Sequence, residues 1–323
     1  MLVAMGLLAV VVLEQLSLPL PLSDLRTPSE YESIITSDEP YTVLDLPLGW
    51  RNGARVLGQQ DEMIMFVQWY QTSHGQRILG GNTSRNPEFK FQYFAEAPVL
   101  SSIIALENGR QPPPEVIAQD RLDAAEVLGY LGVRYVSLHQ PPVSQELFEY
   151  VEHNLPVHQV VRGTTMRLYE VDAPSVTDAR IVLPSHMGRL RLAEGWSPVE
   201  DSLDGEAVVW AQQDKVGVMP RLSGDETTLE LRCWSPATDQ VLAILVNGYA
   251  GVSVLLDQGW NGITVPLPAN SVTRGVNDLQ LHFGSMYDGA AVAATAAAET
   301  CDAPAEASVW SMVVQSAGMD SGG

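Results

Sequence analysis

Gln71, His74, Arg77 and Arg85 are the first side chains along the sequence with types and spacing suited to chemistry; they fall in and beside the polar segment SHGQRILGGNTSRNP. Two guanidinium forks match phosphate oxygens and an imidazole titrates near neutrality, so the set would contact an anionic group such as a sugar phosphate. The competing reading is that these side chains hydrogen-bond to hold a long loop.

Glu200, Asp201, Asp204 and Glu206 offer hard oxygen ligands to calcium, but they lack the glycine and carbonyl spacing of an established calcium loop; a solvated acidic turn is the other reading. His153 and His158 stand five apart with Pro156 between them, whereas two ligands on one helical face need a spacing of three or four, so no metal pair is expected. No G-x-S-x-G elbow occurs, and Gly80-Gly81 lacks the continuation of a phosphate loop or a dinucleotide fingerprint. Neither a catalytic residue nor a cofactor is therefore assigned. Trp196, Trp210, Trp234 and Trp260 are spread through the second half of the chain. Exposed, they would stack on sugar rings; buried, they would fill a core or a strand end.

Thirty-nine acidic against 18 basic residues give a net charge of -21, which repels phosphate backbones and excludes nucleic acid as a partner. A hydrophobic content of 46% suffices for folding, and 323 residues favour two domains over one. The two cysteines match no zinc or redox spacing: Cys233 lies in a strand-like run and Cys301 in a low-complexity stretch, leaving a single disulfide as the one bridge open to them.

These residues need elements to position them. Residues 1–13, MLVAMGLLAVVVL, are uninterruptedly apolar before Glu14 and Gln15. The run is shorter than the ~20 residues of a spanning helix, and it lacks the basic start of a signal peptide. A truncated final membrane helix over 1–22 accounts for both features. The acidic chain after it would lie on the extracytoplasmic side of the cell membrane, since cytoplasmic flanks are enriched in Lys and Arg. An atypical signal sequence and an interfacial anchor are the alternatives.

Strand formers at 41–46 are stopped by Pro47 and Gly49, and an aromatic-rich stretch at 63–72 leads into the polar loop. After Pro112 to Pro114 a helix is expected over 115–131, with Ile117, Ala124, Leu128 and Leu131 on one face and Gly132 ending it. A strand at 133–138, a helix capped by Ser144 and running to Asn154, and strands at 157–161 and 166–171 complete a mixed α/β sheet. Beyond Ala173 short alternating runs take over at 207–211, 227–233, 240–246, 252–256, 263–266 and 278–283, with Asn247-Gly248 as a hairpin turn. Residues 289–307, GAAVAATAAAETCDAPAEA, read as a flexible alanine-rich insertion before a last apolar run at 309–314.

LDLPLGW from Leu44, QWYQTSHGQRILGG from Gln68 and LGVRYVSLH from Leu131 resemble, in that order, recurring segments of bacterial polytopic membrane proteins similar to the glycosyltransferase C superfamily. The resemblance covers residues 7–171 and implies a soluble region following the last membrane helix. AEGWSPVEDSLDGEAVVWA from Ala193, VLAILVNG from Val241 and GWNGITVPLP from Gly259 resemble jelly-roll sandwiches appended to such proteins. The other membrane helices and the loop with the family's catalytic carboxylates are absent here, so no catalytic residue carries over.

The expected fold class is α/β plus all-β: an N-terminal apolar, truncated transmembrane helix (1–22), a mixed-sheet α/β domain (23–173) and a jelly-roll-like β-sandwich (174–318). The function implied by the resemblance is that of a non-catalytic extracytoplasmic region of a membrane glycosyltransferase-like protein handling lipid-linked sugars, whose donor site the Gln71, His74, Arg77 and Arg85 loop would cover. The alternative is a membrane-anchored cell-surface protein that binds carbohydrate or serves as a scaffold.

Overall fold

The computed structural model describes residues 6, 10–11, 24–34, 40–53, 55–59, 63–83, 87–141, 143–173, 176–197, 201–203, 206–285 and 308–316. Most of the 1–22 segment, Arg85, Glu200, Asp204, Cys301 and the 289–307 insertion lie outside these residues. Among the described residues no helix is long and apolar enough to cross a membrane.

The first half contains β1 (Thr42–Leu46), β2 (Trp50–Asn52), β3 (Arg55–Leu57), α1 (Met63–His74), β4 (Arg77–Ile78) and β5 (Gly81–Asn82). It continues through α2 (Glu88–Glu96), α3 (Leu100–Glu107), α4 (Pro114–Leu131), β6 (Val133–His139), α5 (Gln145–Asn154), β7 (Val157–Arg162) and β8 (Met166–Val171). Five strands form a mixed sheet in the order β4-β1-β6-β8-β7, with β1 parallel to both β4 and β6 and the β6-β8-β7 side antiparallel. All of β1 is buried, as expected of a parallel strand covered on both faces.

Local chemistry explains the helices. Pro113 and Pro114 open α4, where a missing N–H costs nothing, and Gly132 closes it at φ 65, a left-handed conformation that glycine adopts without strain. Ala124 and Leu128 of the expected face are fully buried, and Ile117 and Leu131 pack partly buried against the same core. The Ser144 hydroxyl accepts from the Leu147 N–H at 3.2 Å and caps α5. The stretch at 63–72, left without a helix by its sequence pattern, is α1, and the polar loop after it contains the short strands β4 and β5.

Among the described residues the regular elements of the second half are strands apart from a 3-10 turn at Met187–Arg191: β9 (Arg180–Ile181), β10 (Asp201–Leu203), β11 (Glu206–Trp210), β12 (Lys215–Val218), β13 (Arg221–Leu222) and β14 (Glu226–Ser235). It ends with β15 (Gln240–Val246), β16 (Tyr249–Leu256), β17 (Gly259–Pro266), β18 (Gly275–Val276), β19 (Leu279–Phe283) and β20 (Ser308–Ser316). One sheet runs β10-β11-β20-β14-β17 with β9 joined to β20, and the facing sheet runs β12-β19-β15-β16. Leu229, Leu231, Cys233 and Val265 from the first meet Leu242, Ile244, Val246, Leu281 and Phe283 from the second in one core. Asn247 and Gly248, both at positive φ, make the β15-β16 turn. The apolar run at 309–314 lies within β20, which sits centrally between β11 and β14. Cys233 is a free, buried thiol, and burial raises its pKa to about 12.

Candidate functional site

The four residues of the polar loop do not act as one set. Gln71 donates through Nε2 to the carbonyl of Gln76 at 2.9 Å, and His74, buried at the end of α1, accepts from the Gln76 N–H through Nδ1 at 3.1 Å. Burial lowers the His74 pKa, the nearby Asp45 carboxylate opposing it. Both side chains thus turn inward and fix the α1-β4 turn. Arg77 is exposed on β4, and Arg85 lies outside the described residues.

His74 leads to a buried polar network that the sequence pattern did not reveal. Asp45 on β1 pairs in register with Ser137 on β6, and His139, two residues further, falls on the same face of the sheet. Tyr31, from the 3-10 turn at Ser29–Ser33, drops onto this face and stacks on His74 with ring centroids 5.3 Å apart. Its hydroxyl donates to Asp45 Oδ1 at 2.5 Å and lies 3.0 Å from His139 Nε2; Ser137 also donates to Asp45 Oδ1. Burial works against the Asp45 charge, but hydrogen bonds and attraction from His139, with those from Ser137 and Tyr31, hold its pKa below the usual carboxylate value. Burial, foremost, and the Asp45 charge push the Tyr31 phenol well above its ordinary value, so it remains a neutral donor.

Serine, histidine and aspartate are the residue types of a hydrolase triad, yet here the serine hydroxyl donates straight to the carboxylate instead of to the imidazole. Asp45, Ser137 and His139 are at most 3% exposed, which leaves no approach for a substrate. The network ties β1, β6 and the Ser29–Ser33 turn together.

The exposed chemistry lies on the sandwich. Trp196 belongs to the core and donates through Nε1 to the Gly217 carbonyl at 2.6 Å. Trp210, Trp234 and Trp260 share one row across the outer face of the larger sheet: Trp210 pairs with Ser308, Ser308 with Trp234, and Trp234 with Trp260. Along β14 the alternation sends Leu229, Leu231 and Cys233 inward and Glu230, Arg232 and Trp234 to the other face. Trp210 is 1% exposed and meets Trp234 edge to face at 5.9 Å, while Trp234 and Trp260 are half-buried. The Arg232 guanidinium lies 4.4 Å from the centre of the Trp260 ring.

Beside Trp260 is an open groove of 450 Å³ lined by Glu230, Arg232, Asn261, Gly262 and Thr264. No atom lies within 4 Å of the place a Cβ on Gly262 would occupy, so the groove floor stays clear between Trp260 and Thr264. Asn261 is taken up locally, donating to the Asp257 and Gly259 carbonyls at 2.8 and 2.9 Å. The signal was present in the sequence as the period-two sets Glu230, Arg232, Trp234 and Trp260, Gly262, Thr264. Their meeting depends on register between strands, which spacing along one strand does not carry.

The acidic group divides between β10, β11 and residues outside the described ones, and β10 and β11 form a hairpin in which Asp201 pairs with Val208. His153 donates through Nδ1 to the Glu149 carbonyl of its own helix at 2.8 Å, while His158 pairs with Asp172 at 2.9 Å. Among the described residues no group of three or more His, Cys, Asp or Glu is placed to hold a metal ion.

No family model and no curated protein matches the chain, so the resemblance to membrane glycosyltransferases stands on the quoted sequence segments alone. The solved structures similar to it include carbohydrate-binding modules. The module CsCBM6-3 from Clostridium stercorarium, solved in complex with cellobiose, is 11% identical, with 39% of this chain and 85% of that one covered and a TM-score of 0.25. The CBM36-1 domain of a multidomain xylanase from the hindgut metagenome of Trinervitermes trinervoides is 12% identical over 40% of this chain and 97% of that one, at a TM-score of 0.26. A family 35 carbohydrate-binding module from an environmental isolate is 14% identical over 39% and 90%, also at 0.26.

Proposed function

We propose that this chain binds carbohydrate without transforming it, through the groove beside Trp260. The observation that supports the reading is the registered row Trp210, Trp234 and Trp260, which ends in a half-buried indole next to an open groove rimmed by charged and hydroxyl side chains. An indole offers a flat apolar surface to the C–H face of a pyranose, while Glu230, Arg232 and Thr264 supply acceptors and donors for ring hydroxyls. Trp234 and the buried Trp210 behind Trp260 stiffen the platform, which lowers the ordering cost of binding.

In the same reading the apolar 1–22 segment anchors the chain to the cell membrane and the acidic remainder lies on the extracytoplasmic side, where glycans are met. Binding is tested by presenting the full chain to a broad glycan array and measuring any hit by calorimetry. Saturable binding that competes with the free glycan supports the proposal; an array with no hit, or sugar transfer by the chain, removes it.

A further inference from the structure

Three arginines converge at the junction of the two halves. Arg221, on β13, donates through Nη1 to the Tyr130 carbonyl at 2.9 Å, and its guanidinium nitrogens lie 3.7 Å from the place a Cβ on Gly132 would occupy. The Gly132 carbonyl accepts the Thr42 N–H at 2.8 Å, and Thr42 pairs in register with Arg77 on the neighbouring strand. Arg77 therefore stands one strand away from the Arg221 guanidinium. On the other side, Arg221 and Arg274 line the same cavity of 300 Å³ together with Thr177, Ser223 and Gly275.

Among the described residues none of the three guanidinium groups is in an ion pair, in a chain whose net charge is -21. The nearby carboxylates are engaged elsewhere. Asp178 holds Arg191 at 2.7 Å and accepts the Arg221 backbone N–H at 2.8 Å, and Asp225 and Glu226 accept the Ser223 hydroxyl. Burial, foremost, with repulsion from Arg77 and Arg274, lowers the Arg221 pKa against the opposing pull of Tyr130 and Asp178. Three like charges held together, none of them paired with a carboxylate among the described residues, are a standing cost that an anion in the cavity relieves.

We infer that Arg77, Arg221 and Arg274 form an oxyanion-binding site at the junction between the α/β sheet and the sandwich. Its ligand is a phosphate, sulfate or carboxylate group: guanidinium forks match these oxygens two at a time, and the Thr177 hydroxyl adds a donor. A cavity of 300 Å³ is at the small end of ligand sites, suiting one such group on a sugar or a free ion. The site is separate from the Trp260 groove and stands or falls apart from it.

The test is calorimetric titration of the full chain with inorganic phosphate, sulfate and glucuronate at low ionic strength, on the wild type and on Arg77→Ala, Arg274→Ala and Arg110→Ala. Arg77 and Arg274 are exposed, so their loss spares the core, and Arg110 controls for net charge. Expected are binding that weakens with added salt, a loss of about ten-fold or more in affinity in Arg77→Ala and Arg274→Ala, and no change in Arg110→Ala. Tighter glucuronate or sulfate binding identifies an acidic glycan as the source of the group; tighter phosphate binding identifies a phosphorylated one. No anion binding by the wild type, or equal binding by all four proteins, overturns the inference.

Discussion

The Asp45 carboxylate and the Nε2 of His139 lie 3.6 Å apart between two parallel strands, and neither side chain is more than 3% exposed. Tyr31 and Ser137 both donate to the same carboxylate oxygen. Truncating Asp45 removes the acceptor that Tyr31 and Ser137 share and the charge that faces His139, so Asp45→Ala is expected to cost about 3–5 kcal/mol of unfolding free energy near neutral pH. The folded pKa of Asp45 lies below its ordinary 3.8, so its contribution is present above that value and is lost as pH falls through the folded value. Urea unfolding of both proteins at several pH values should show a gap that narrows only below 3.8; a gap that closes between pH 5 and 7 contradicts the assignment.

Glu107 gives a slope of the opposite sign. Its carboxylate accepts the backbone N–H groups of Leu48 and Gln59, but burial outweighs these bonds and raises its pKa from 4.5 to about 7. The folded chain therefore holds this proton more tightly than the unfolded one. Stability from this group is full below 4.5 and declines as pH rises through about 7, by at most about 1.4 kcal/mol per pH unit. Glu107→Gln should flatten that decline in denaturant titrations from pH 4 to 8, and an unchanged slope would place the titration elsewhere.

Arg191 joins the two halves. It is 3% exposed, pairs with Asp178 at 2.7 Å and Glu126 at 2.8 Å, and lies 4.6 Å from the centre of the Tyr130 ring. Glu126 and Tyr130 belong to α4, whereas Asp178 leads into the sandwich. Arg191→Met strands the Asp178 charge, at a cost of about 3–5 kcal/mol, and removes one of the links between the halves, leaving the Arg221 bond to the Tyr130 carbonyl. Calorimetry should then resolve two unfolding transitions; a single transition at the wild-type temperature would mean that the halves are coupled by other contacts.

The helices and strands were legible where a local signal sufficed: Pro114 and Gly132 bound α4, Ser144 caps α5, and Asn247-Gly248 turns the β15-β16 hairpin. What escaped the sequence depends on register and on distance along the chain. Asp45 meets Ser137 only because β1 and β6 align in parallel across 92 positions, and Trp210 reaches Trp234 through Ser308 of the last strand. The arginine set of the polar loop was proposed from proximity in sequence. In space Gln71 and His74 fold inward, and Arg77 finds its companions in Arg221 and Arg274, 144 and 197 positions further along the chain.

Tryptophan position offers the sharpest test of the carbohydrate reading, because two tryptophans of the same sandwich have opposite surroundings. Trp260 stands half-buried at the groove, under the Arg232 guanidinium, while Trp196 is 5% exposed and anchored to the Gly217 carbonyl in the core. Trp260→Ala removes the stacking platform and should weaken glycan binding by roughly ten-fold or more, with little change in unfolding temperature. Trp196→Ala opens a core cavity and should cost about 3–5 kcal/mol of stability while leaving the affinity of the folded fraction intact. Affinity electrophoresis and thermal unfolding on both variants separate the two effects. Equal affinities for wild type and Trp260→Ala would move the binding site off the tryptophan row.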